Sequence, residues 1–154
     1  MMRKNLEPQL MLGEVDISQI EFDHRCRHEI PQLLKGLQFV YVNAELRQQV
    51  FTLLEQHICR SQTGRRGMDL WKILVMGAVR LSGNMDYDEL HDLANNHCQM
   101  RQMLGITAWD RKPYFPMQTV KDNAVLLTPE LLNEINTLVV AAGHKLIKKK
   151  IKTN

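Results

Sequence analysis

Three sets of side chains in this sequence have the types and spacing to do chemistry. The first is His24, Cys26 and His28, with His57/Cys59 and His97/Cys98 further on. Zinc takes four nitrogen or sulfur ligands in tetrahedral geometry, usually from pairs two to four residues apart. No Cys-x-x-Cys pair occurs here. An i, i+2, i+4 set converges only on an extended strand, because on a helix it fans over roughly 200°. The expectation is no metal site, with ordinary thiols and histidines. The second set is Asp86, Asp88, Glu89 and Asp92. Its spacing is that of a helix first turn, where carboxylates cap free amides and meet the positive end of the helix dipole. No Lys or Arg lies within 83–98, so these acids would repel a phosphate backbone.

The third set is cationic. Residues 60–80 carry Arg60, Arg65, Arg66, Lys72 and Arg80 against Asp69, a net +4. Arg65 and Arg66 sit between Gly64 and Gly67, in a stretch built to reach phosphate. Arg111 and Lys112 lie beside Trp109, Tyr114 and Phe115. A basic loop interleaved with aromatics can touch a backbone and stack on bases. Taken singly, each cluster also reads as a solvated loop. Nucleophilic catalysis has no support: the sequence holds no GxSxG, P-loop, GxGxxG, HExxH or kinase motif. His97 beside Cys98 is adjacency along the chain, not a dyad. No cofactor motif is present, and the expectation is a protein that is not an enzyme and takes no small-molecule substrate.

Elements must position these groups, and the sequence reads as helices. Pro31 suits the N1 position of a helix over 31–42. Asn43 caps a second, about 44–59, with Leu46, Val50, Leu53, Leu54 and Ile58 at helical spacing. Ten of the 14 residues in 68–81 are apolar all round, as in a helix buried at a domain centre. Asp86 with Glu89 opens a helix to about 97. A short piece over 98–104 stops at Gly105. Residues 106–117 read as a loop, and 118–127 as a helix bearing Lys121 beside a single acid, Asp122. Thr128, Pro129 and Glu130 start a last helix ending at Gly143. Residues 1–30 are poorly periodic, with Val15, Ile17 and Ile20 marking a short extended piece, and are expected to be poorly ordered. Trp71, Leu74, Val75 and Leu90 are expected in the core. The layout predicts one all-α domain of about six or seven helices over 31–143, with a central buried helix near 68–81 and a basic tail over 144–154.

The bulk numbers agree. At 154 residues, with 44% hydrophobic and 24% charged, the chain is an ordinary globular mix for one domain. No apolar run is long enough for a membrane span. The N-terminus lacks the apolar region of a signal peptide, so a cytoplasmic protein is expected. Three cysteines argue against a disulfide framework. The net charge is +3, but five lysines fall in 144–154. Without them, 15 basic residues face 17 acidic ones, a net −2, so the body is not a polyanion-coating surface.

Several ordered stretches carry a resemblance: 66–81 (RGMDLWKILVMGAVRL), 85–90 (MDYDEL), 93–95 (LAN), 101–105 (RQMLG), 119–130 (TVKDNAVLLTPE) and 139–144 (VVAAGH). Together they resemble the N-terminal helical region of bacterial insertion-sequence transposases of the DDE type, from about residue 14 to 147. The resemblance implies a helical region ahead of a ribonuclease-H-like domain, whose three acids hold two metals for strand transfer. No position in this chain matches one of those acids. The resemblance therefore implies a chain truncated before the catalytic domain, its lysine-rich end being what a frameshift or early stop leaves.

The reading that follows is a transposase-derived DNA-binding fragment. It would bind the double-stranded terminal inverted repeats of its element, with self-association to a homodimer as a second expectation and no membrane partner. The expected phosphate contacts are Arg60, Arg65, Arg66, Arg111, Lys112 and Lys121. Two alternatives stand beside it: a helical protein-interaction or dimerisation module, supported by the apolar central helix and nine methionines, and a decayed remnant without function.

Overall fold

A computed structural model describes residues 16–23, 25, 28–58, 67–106 and 114–152, with side chains to His144. Among the described residues there are seven α-helices and no strand: α1 (Glu29–Val42), α2 (Ala44–Ile58), α3 (Leu70–Ser82), α4 (Tyr87–Asn96), α5 (Cys98–Met103), α6 (Met117–Ala124) and α7 (Pro129–Lys152). Among the described residues no single helix is long and apolar enough to cross a membrane.

The helices start where local chemistry dictates. The amide of Leu46 donates to Asn43 Oδ1 at 3.1 Å. Asp86 Oδ1 accepts from the Glu89 amide at 2.8 Å, and Thr128 Oγ1 accepts from the Leu131 amide at 3.2 Å. Each satisfies an amide that the first helical turn leaves free. α1 starts two residues earlier than expected, so Pro31 falls third and not at N1, where its missing N–H still costs nothing.

At the centre is α3, with nine buried residues including Leu70, Trp71, Ile73, Leu74 and Val75. α1, α2, α4 and α6 all pack against it. The closest approach lies at Gly77. A Cβ there would stand 2.5 Å from Leu127 Cβ, so only glycine lets the turn after α6 come this near. α7 covers α2, burying Leu131 and Ile135, and meets α6 at a 66° bend. Leu90 completes the expected core.

Three expectations change. The piece around Ile17 is a single 3-10 turn, Ile17–Gln19, not an extended segment. Asp16 Oδ1 accepts from the Ser18 amide at 2.9 Å and closes that turn. Ile17 and Ile20 are buried, and Gln38 Nε2 on α1 donates to both their carbonyls, at 2.9 and 3.0 Å. α6 ends at Ala124 and not at 127, giving way to a turn that buries Leu127. Gly143 does not end α7, which stays helical to Lys152, so the expected tail from 144 begins as helix.

Candidate nucleic-acid interface

Of the six cationic residues expected to meet phosphate, Arg60, Arg65, Arg66, Arg111 and Lys112 lie outside the described residues. Lys121 is exposed on α6, while its acidic neighbour Asp122 accepts from Gln118 Nε2 at 2.7 Å. What the structure gives for the other five is the geometry of the points from which their segments leave the body.

The first basic segment joins Ile58, at the end of α2, to Gly67, just before α3. The second joins Ile106, after α5, to Tyr114, before α6. The start of α3 and the end of α5 are tied directly. Trp71 Nε1–H donates to the Met103 carbonyl at 2.8 Å, inside the core. That carbonyl is one of the acceptors a helix C-terminus leaves unsatisfied. Tyr41 of α1 and Phe51 of α2 hold the indole edge-on, with centroids 5.5 and 6.5 Å away. The tie therefore joins the first turn of α3, the helix that follows the first basic segment, to the last residue of α5, the helix that precedes the second.

A second tie fixes the far end of the second segment. Asn95 is buried at the end of α4. Its Oδ1 accepts from the Phe115 amide at 2.7 Å, and its Nδ2 donates to the Phe115 carbonyl at 3.0 Å and the His91 carbonyl at 2.9 Å. One amide side chain thus satisfies both polar groups of a residue in the loop. Phe115 is buried, which corrects the expectation that it stacks on bases: Asn95 turns it inward. Tyr114 stays 57% exposed. Its hydroxyl hydrogen-bonds His91 Nε2 at 2.8 Å, and the rings meet at 85°. Neither tie has a sequence signal, because the partners lie 32 and 20 residues apart.

Other charged groups serve the fold. The Arg80 guanidinium lies 4.4 Å over the Tyr87 ring, and Lys72 Nζ lies 3.9 Å from the nearly buried Asp69 carboxylate. Arg47 covers Tyr41, and Arg101 donates to the Asn95 carbonyl at 3.1 Å. α3 and α4 form a helix–turn–helix, but α4 exposes Asp88, Glu89 and Asp92. That surface would repel phosphate and is a poor recognition helix.

Among the described residues, no three His, Cys, Asp or Glu side chains are placed to share a metal ion. His97 Nδ1 accepts the Met100 amide at 3.2 Å and caps α5. Burial pushes its pKa below the ordinary 6.5. His57 Nε2 lies 3.6 Å from Glu134 Oε2 across α2 and α7. Comparison with protein-family models, curated proteins and solved structures gives no match.

Proposed function

We propose that this chain is a double-stranded-DNA-binding unit, the helical region of an insertion-sequence transposase. It holds the terminal inverted repeats of its element through Arg60, Arg65, Arg66, Arg111, Lys112 and Lys121. The observation that supports this most is the Trp71–Met103 tie, which joins the helix that follows the first basic segment to the helix that precedes the second. The acidic exposed face of α4 directs the duplex away from the α3–α4 unit and toward those segments. The reading assigns binding and positioning to these residues and no cutting chemistry. Its place of work is the cytoplasm, where a bacterial chromosome lies.

The test is Arg65→Ala with Arg66→Ala in the full chain, titrated against duplex DNA over a range of salt. Each lost phosphate contact removes about one from the log–log salt slope, so the double variant should lose about two. An unchanged affinity and slope would refute the contact.

A further inference from the structure

We infer that the solvent side of α7 is a self-association surface, on which a second copy of this chain lies antiparallel. The inference holds whether or not the chain binds DNA. The apolar central helix does not serve for pairing, because α3 buries nine of its residues inside its own chain. α7 is placed differently. Its inward row, Leu131, Ile135, Leu138 and Ala142, packs in the core or against it. The row on the opposite side is Glu130, Asn133, Thr137, Val140, Ala141 and His144, all of them exposed. At about 100° per residue they fall within one stripe roughly 100° wide.

This stripe departs from an ordinary solvent face. α2 exposes Glu45 and Glu55, and α4 exposes Asp88, Glu89 and Asp92. α7 has no Lys, Arg, Asp or Glu from 135 to 144, and Val140 stands 56% exposed. Steps of three and four residues, with small side chains at the middle, let one helix seat along another. Thr137 Oγ1 donates to the Asn133 carbonyl at 3.0 Å, so its proton already has an acceptor when the stripe is covered.

The ends of the stripe choose the occupant and its direction. Glu130 stands at one end and His144 at the other, roughly 21 Å apart along the axis. Among the described residues neither has an ion-pair partner. Glu134, at the edge of the stripe, is already engaged by His57 of α2 at 3.6 Å. In an antiparallel copy with the two-fold axis at Thr137, position 130 faces 144, 133 faces 141, and 137 faces itself. Each Glu130 carboxylate then accepts from an imidazole N–H of the other copy, twice by symmetry, and Asn133 meets the small Ala141. A parallel copy would set Glu130 against Glu130, and a uniformly acidic or basic helix would suit one end only. A stripe this short buries less than the roughly 800 Å² per partner of a standard interface, so the pair is weak, with a dissociation constant in the micromolar range.

The experiment is sedimentation of the full chain, without nucleic acid, over a micromolar concentration range, in which the monomer should give way to a dimer. Val140→Glu sets a charge in the middle of the covered stripe, at a position exposed in the single chain, so the fold is kept and association should weaken by roughly tenfold or more. His144→Glu should weaken it too, by facing carboxylate with carboxylate, and adding Glu130→Lys to that variant should restore it. Oxidation reads the direction. With Cys26, Cys59 and Cys98 replaced by Ser, Thr137→Cys should cross-link to itself, whereas Asn133→Cys and Ala141→Cys should cross-link only when mixed. A chain that stays monomeric throughout, a Val140→Glu protein that associates like the parent, or a double variant no better than His144→Glu alone would each overturn the inference. So would an Asn133→Cys chain that cross-links to itself as readily as Thr137→Cys.

Discussion

Trp71→Phe probes the tie on which the proposed interface depends. Phenylalanine keeps most of the aromatic bulk against Tyr41 and Phe51 but removes the Nε1–H donor. The Met103 carbonyl is then left inside the core, where Trp71 is 1% exposed and Met103 0%. An orphaned buried acceptor costs about 1–3 kcal/mol. The space left by the lost ring adds about 1 kcal/mol, a small part of what full truncation of a core tryptophan costs. The expected loss is about 2–4 kcal/mol, a large fraction of the stability of an ordinary domain. Denaturant unfolding would show a lower midpoint at unchanged slope. On the proposed reading duplex affinity should also fall where the variant is still folded, because α3 and α5, which flank the basic segments, lose their direct tie. Leu54→Ala is the control: it empties a fully buried site on α2, costs about 2–5 kcal/mol, and leaves the tie alone, so the folded protein should bind as before. A Trp71→Phe loss below about 0.5 kcal/mol, within the range of an ordinary surface change, would refute the reasoning.

Two further outcomes concern the helices themselves. Gly77→Ala should cost about 1–3 kcal/mol by overpacking, because the added carbon meets Leu127 Cβ at 2.5 Å and Cδ2 at 2.7 Å; a thermal midpoint at or above the parent's would contradict that contact. The His97 cap works only while Nδ1 is unprotonated, and burial holds its folded-state pKa below 6.5. The unfolded chain then takes up the proton first, so this contribution is whole above pH 6.5 and is lost as pH falls through the folded value. His97→Ser, a cap that does not titrate, should flatten stability against pH over that window; an unaltered profile would show that another group sets it.

What was legible in the sequence was local. The ten apolar residues of 68–81 placed the central helix. Asn43, Asp86 and Thr128 marked helix starts, because a cap and its amide are three residues apart. Gly105 marked an end correctly because its φ is left-handed. Gly143 misled: a glycine is only permission for that conformation, and α7 does not take it. Three residues around Ile17 carry no period that separates a turn from an extended piece, and the Asp16 cap decides for the turn. The ties that order the candidate interface were not legible at all. Nothing in Trp71 names Met103, and nothing in Asn95 names Phe115, because those pairings are set by how four helices pack on α3. Position along the chain placed Phe115 with the exposed aromatics; the hydrogen bonds to Asn95 place it inside.

The central claim is that the helical body, and not only its lysine-rich helix end, recognises duplex DNA. The most direct measurement is to select binding sequences from a random duplex pool with the full chain. The winner and a random competitor are then titrated as salt rises. The account predicts a selected sequence that keeps its advantage while both affinities fall. Affinities that fall together with no sequence preferred would leave lysine-driven polyanion binding alone and would contradict it.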